Sequence, residues 1–196
     1  MKKIITLILT VFIWFSCDVA QQIAGVYSMT QCKYSYNSIS GLTLAGLNLQ
    51  DASSLSSLNA VSAANLLAAF STSSGSLPLN FTLNLNVKNP NTQTALLNGL
   101  AYILEIDGME MTTGSLNQQL QINANETAKL PLTLGFDLKK VMSGQSLDAI
   151  KNLAFNFAGI GSGSSNVTIK LQPSIQVGGQ TIKSPTYIPV SFTLNK

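Results

Sequence analysis

This chain of 196 residues has no histidine and no arginine. Without histidine it lacks the most frequent general base and the commonest metal ligand. Ser-His-Asp and Cys-His arrangements are therefore excluded. Tryptophan occurs once, at Trp14, and cysteine twice, at Cys17 and Cys32. Charged residues make up only 10% of the chain, and every basic one is a lysine. Eleven lysines face eight acids, and two of them, Lys2 and Lys3, stand at the extreme start. The other nine give the rest of the chain a formal charge of about +1, and they are scattered along the sequence. Nucleic-acid binding needs Lys or Arg gathered along one face to replace counterions, so no nucleic-acid partner is expected.

What is present begins with an address. Met1-Lys2-Lys3 is followed by an apolar run from Ile4 to Phe15 broken only by Thr6 and Thr10, then Ser16-Cys17. A basic start, a short apolar stretch and a small residue at the cut read as a secretory signal. The run is shorter than the ~20 residues a permanent span requires. Phe15-Ser16-Cys17 resembles a bacterial lipobox, with Trp14 and Phe15 bulkier than the strict pattern, as in looser Bacteroidetes-like boxes. The expectation is a signal peptide over 1–16, lipidation of Cys17, a tether over 17–32 and one domain over 33–196. Acylation would hold the chain on the membrane of a bacterial cell envelope, with the outer membrane facing the periplasm as the expected place. Cys32 is then left without a partner and reads as a small core residue rather than a reactive thiol.

The domain reads as antiparallel β. Leu79, Phe81, Leu83, Leu85 and Val87 alternate with Asn80, Thr82, Asn84, Asn86 and Lys88, the period of a strand with one buried face. Asn89-Pro90-Asn91 ends it, since proline removes a donor and asparagine suits turns. Lys33 to Leu49 reads as a strand whose parity slips near Gly41 or Gly46. Leu97 to Ile106 leads through Asp107-Gly108, a hairpin signal, into Met109–Met111, with a further turn at Thr113-Gly114. Leu116 to Asn123, Ala128 to Leu138, Val167 to Leu171 with a resumption at Ile175 and Val177 after Pro173, and Ile182 to Leu194 complete the strands. Pro131, Pro185 and Pro189 mark edges or breaks, and Gly178-Gly179 a hairpin turn. Two helices interrupt the pattern. One spans Asp51–Phe70, capped by Asp51 or Ser53, and is followed by a flexible loop over Ser71–Ser76. The other lies between Asp137 and Gly161, capped by Ser146 and ended by Gly159 or Gly161. The expected fold is all-β, an immunoglobulin- or fibronectin-III-like sandwich of about seven strands with one or two inserted helices; a barrel is the alternative.

Few residues offer chemistry. Glu105, Asp107 and Glu110 straddle a turn without matching a calcium loop. Nothing in the sequence brings Glu126 and Asp137 together as a glycosidase pair. Gly159, Gly161 and Gly163 lack the Lys-Ser/Thr of a phosphate loop. The Asn-x-Thr sequons at Asn80, Asn125 and Asn166 carry no weight in a bacterial lipoprotein. No cofactor, metal or catalytic residue is expected.

The order of signals resembles the late-embryogenesis-abundant type 2 family, also called the WHy domain. The resemblance is carried by the alternating strand ending Asn89-Pro90-Asn91, by Gly99 and Tyr102 before Asp107-Gly108, and by Leu130-Pro131-Leu132-Thr133-Leu134 followed by a helix and a closing hairpin. It covers roughly Lys33 to Leu194, and the Asp51–Phe70 insertion departs from the pattern. It implies a non-catalytic, stress-protective or scaffold module, in some members membrane-proximal. A lipid or apolar ligand held in a groove opened by Leu147–Phe157 is the alternative. Glycan capture, through Tyr27, Tyr34, Tyr36, Tyr102 and Tyr187, is weaker in a chain whose sole tryptophan lies in the signal.

Overall fold

Strand β3, Pro78–Lys88, organises the molecule. The computed structural model describes residues 27–50, 52, 55–71, 75–117, 119–177 and 180–194. Within it Leu79, Phe81, Leu83, Leu85 and Val87 are buried, while Asn80 and Lys88 face water. Each buried aliphatic of this kind stabilises the fold by roughly 1.5–3 kcal/mol. On one side β3 pairs with β1, Lys33–Leu44; on the other it pairs in unbroken register with β8, Thr127–Asp137. A two-residue β2, Leu47–Asn48, completes a four-stranded sheet in the order β2-β1-β3-β8. The parity slip expected near Gly41 is present as register shifts in β1 between Tyr36 and Ser38 and between Ser40 and Thr43. Gly41 there has φ +62°, a conformation that favours glycine. Pro131 lies on the edge strand β8, where its missing donor costs no ladder bond.

The second sheet has five strands. β5, Gly99–Ile106, lies between β6, Met109–Leu116, and β9, Ser165–Val177. Along β9 run β10, Gln180–Lys183, and β11, Ile188–Leu194. These two are the expected Ile182–Leu194 strand, broken where Pro185 stands. The break is stitched by Ser184, whose hydroxyl donates to the Thr186 carbonyl at 2.8 Å. Two short strands, β4, Ala95–Leu97, and β7, Leu120–Ile122, pair separately. Every pairing is antiparallel. Both large sheets contribute to one buried cluster, and Tyr36 of β1 stacks on Phe192 of β11 with ring centroids 4.2 Å apart.

The structure corrects the expected count of about seven strands: eleven lie among the described residues, because breaks and bulges divide several runs. It also corrects the turn at Thr113-Gly114. β6 runs straight through, since Gly114 has no side chain and Tyr102 lies across it; a Cβ there would come within 2.6 Å of the tyrosine oxygen. The expected Leu116–Asn123 strand is two pieces in different sheets. The tether reading ends too late as well. Residues 27–31 form a helical turn in which Ser28 and Met29 are buried, and Cys32 follows in the core.

Helix α1, Ala60–Ser71, buries Leu66 and Phe70 but leaves Val61 exposed. Asn59 caps it, its Oδ1 accepting from Ser62 N at 2.8 Å. The caps expected at Asp51 and Ser53 lie outside the described residues, as do the Gly178-Gly179 turn and the middle of the Ser71–Ser76 segment. Helix α2, Leu138–Val141, and helix α3, Leu147–Phe157, follow β8. Ser146 caps α3 as expected, accepting from Ala149 N at 3.2 Å. Gly159, with φ +71°, closes it with Gly159 N donating to Asn156 O and Ile160 N to Phe155 O. Phe157 of α3 packs on Phe81, and Phe155 edges onto Phe70, so α3 seals one end of the core.

Asp137 joins these parts. Its carboxylate accepts from the N–H groups of Leu77, Lys139 and Lys140 and from the Ser76 hydroxyl. Burial acts to raise its pKa, but the four hydrogen bonds outweigh it and hold the carboxyl below its ordinary value. Asp137→Ala is expected to destabilise the fold by about 1–2 kcal/mol, as for a lost helix cap. A lowered folded-state pKa stabilises above the unfolded value of about 3.9 and ceases to do so as pH falls through the folded one. The melting-temperature gap between wild type and variant should therefore be full at neutral pH and close below about pH 4. A gap that stays constant to lower pH would contradict this.

Candidate functional site

Cys17 and the rest of the expected signal lie outside the described residues. The Asn89-Pro90-Asn91 element is within them. Asn89 continues the inward parity of β3 one step past the strand and is 0% exposed. Its amide nitrogen donates to the carbonyls of Gln93, Ile122 and Asn123 at 2.8, 3.0 and 3.1 Å. Its Oδ1 accepts from both Asn91 nitrogens, at 3.0 and 2.8 Å. Asn91 in turn donates to the Ser28 carbonyl at 3.1 Å. This hub ties the end of β3, the β7–β8 turn and the start of the described chain into one pole. Both polar atoms of the Asn89 side chain are engaged within the protein, which leaves neither to bind a ligand.

The other candidates are dispersed or occupied. Glu105 pairs with Lys170 across β5 and β9, and Asp107 accepts from Asn166 N at 2.8 Å. Glu126 and Asp137 stand at opposite ends of β8, ~35 Å apart at strand rise. No group of three or more potential metal ligands occurs among the described residues. The Gly159–Gly163 loop lies at the C-terminal end of α3, the negative end of its dipole, and its amides serve the helix end and Asn156. That geometry repels phosphate. The Cys32 thiol donates to the Ser28 carbonyl at 3.3 Å, and burial pushes its pKa up to about 11, so it is inert at neutral pH. Tyr34 donates to the Met29 carbonyl, Tyr36 stacks on Phe192 and Tyr102 covers Gly114. Of the five tyrosines only Tyr27 and Tyr187 are exposed.

The open cleft beside α3 is lined by Ile39, Leu42, Leu49, Gln50, Phe157 and Leu194 and measures about 160 Å³. Ligand pockets usually measure ~300–1,000 Å³. A wider depression of about 370 Å³, likewise open, lies at Leu97 and Leu120, with Asn98, Gln119 and Gln121 at its walls. Neither gathers convergent charged groups. Among the described residues no helix is long and apolar enough to cross a membrane.

One arrangement has no counterpart in the linear pattern. Lys33 and Lys88 are direct cross-strand partners, and Lys129 sits diagonally from Lys88 across β8. Lysines scattered in sequence thus gather on the outer face of the first sheet, at the pole of the Asn89 hub. Only the pairing of the strands brings them together.

The model of the late embryogenesis abundant protein family LEA_2 matches residues 84–193, from the middle of β3 to the end of β11. The chain belongs to the LEA type 2 family. No curated protein matches it. Strand β1 and helix α1 lie before the matched segment of this LEA type 2 chain. Among solved structures, a protein from Archaeoglobus fulgidus aligns at a TM-score of 0.38 and 11% identity, covering 83% of this chain and 98% of that one. One from Arabidopsis thaliana aligns at 0.37 and 12%, covering 59% and 67%. The solution structure of a protein assigned to the LEA proteins aligns at 0.36 and 9%, covering 97% and 86%. With scores this low, the antiparallel β architecture of this LEA type 2 protein stands on its own sheets.

Proposed function

We propose that this LEA type 2 protein is a non-catalytic, lipid-anchored module of the bacterial cell envelope, of the WHy type, serving stress protection or scaffolding. In this reading its two large sheets form an immunoglobulin- or fibronectin-III-like sandwich held by Cys17 at the outer membrane and facing the periplasm. The observation that carries the non-catalytic part is the sealed interior. The two inner faces and α3 fill the core, the cleft beside α3 is small, and the described acids are dispersed or engaged in turns and caps. A core so filled favours a surface that protects or scaffolds over a groove that holds a lipid. The anchor is supported by Lys2-Lys3, the apolar run to Phe15 and Ser16-Cys17. Two acyl chains make such attachment stable where one is marginal.

Cys17→Ala tests the anchor. The variant is expected to leave the membrane fraction and to lose incorporation of labelled palmitate in cells. Palmitate labelling that persists in the variant would overturn the lipidation of Cys17.

A further inference from the structure

We infer that the lysine cluster Lys33–Lys88–Lys129 is a docking face for an anionic phospholipid surface, which sets how the domain lies against its membrane. Residues directly opposite on an antiparallel pair have Cβ atoms ~5 Å apart, and diagonal neighbours ~7–8 Å. Lys33 and Lys88 occupy the first relation, Lys88 and Lys129 the second, and all three are exposed on the same sheet face. Among the described residues none of the three has an acidic partner; the ion pairs there are Lys151–Asp148 and Lys170–Glu105. The carboxylate of nearby Glu126 accepts from Asn123 at 3.0 Å. Like charges set directly opposite destabilise a sheet. A lysine on an edge strand can serve to block edge-to-edge pairing, and Lys129 on the edge strand β8 fits that role, but Lys88 lies on β3, the strand flanked on both sides. Edge protection therefore does not account for Lys88 set directly opposite Lys33, whereas an external anionic surface would relieve that repulsion.

The position of the cluster names that surface. Lys33 opens β1, so the cluster adjoins the point where residues 1–26 meet the domain. Those residues include the basic start, the apolar run and Cys17. Tyr27, 64% exposed, stands at the same pole, because its neighbour Ser28 is held by Asn91. An exposed tyrosine beside lysines is the composition of a membrane–water interface. The inference rests on the anchored reading for the proximity of a bilayer.

The test uses the full chain mixed with vesicles of phosphatidylcholine, or of phosphatidylcholine and phosphatidylglycerol in equal parts. Flotation on the neutral vesicles reports the anchor; amine acylation followed by peptide mass spectrometry reports the cluster. Labelling of Lys33, Lys88 and Lys129 is expected to fall several-fold on the anionic vesicles relative to the neutral ones. Labelling of Lys140, Lys151 and Lys183 should stay level, and raised salt should restore reactivity at the cluster. Equal labelling on both vesicles overturns the inference whether or not the chain floats. So does a uniform fall at all six lysines, which would report net charge alone, or protection by soluble polyphosphate with none by vesicles. The K33Q/K88Q/K129Q variant is expected to melt at or above the wild-type temperature and to lose the anionic-vesicle effect, while K140Q/K151Q/K183Q keeps it. A substantial fall in melting temperature for the first variant would assign the cluster a structural role instead.

Discussion

Leu83→Asp is expected to abolish the cooperative thermal transition. Leu83 sits at the centre of β3, paired with Ile39 on one side and Leu132 on the other, and is 0% exposed. An aspartate there loses the transfer free energy of the leucine and places a carboxylate with no partner between two layers. The effective penalty for a buried, unpaired charge is several kcal/mol, against a total stability of roughly 5–15 kcal/mol for a domain. Protonation would soften the charge cost but still leave an unsatisfied polar group. Thr82→Asp, one residue away on the outer face, should change stability by less than about 1 kcal/mol. Circular dichroism on both variants checks the pair. A wild-type-like melt for Leu83→Asp would mean that the two faces of β3 have been exchanged.

Asn89→Ala is expected to cost about 3 kcal/mol or more, the second largest effect. The substitution strips a donor from three carbonyls and an acceptor from both nitrogens of Asn91. Each buried group left unsatisfied costs about 1–3 kcal/mol. Asn89→Asp should be worse although it is nearly isosteric, since it sets a carboxylate against three carbonyl oxygens. Urea unfolding measures both, with a lower midpoint and an unchanged slope. A loss under about 1 kcal/mol for the alanine variant would mean that water replaces the amide.

The strands were legible wherever one face is buried and the other wet, because the pleat writes a period of two into residues 79–88 and 130–137. Helix α3 was legible through Ser146 and Gly159, whose roles follow from local backbone geometry alone. Three features were not, each for a physical reason. Gly114 looked like a turn, but it makes room for Tyr102, a partner identified only by strand pairing. Asn89 stands where β3 ends, as expected, but its place on the inward parity, and so its part as a hydrogen-bonded hub, went unread. A polar residue on an apolar register was the available signal that it must find partners inside. The lysine cluster left no trace, since Lys33, Lys88 and Lys129 meet only across three strands drawn from distant parts of the chain.

That strand order also bears on how the chain reaches its fold. β3 lies beside β8 and β5 beside β9, so Leu85 meets Leu130 and Tyr102 meets Leu171. Closing such loops loses chain entropy before any long-range contact compensates, and proteins dominated by these pairings fold in milliseconds to seconds rather than microseconds. Until β8 exists, the β8-side edge of β3 has no partner, and its leucine-rich face lies open to any neighbouring strand. Truncation before Thr127 would leave that edge permanently bare, so shortened chains should accumulate as aggregates rather than as smaller folded domains.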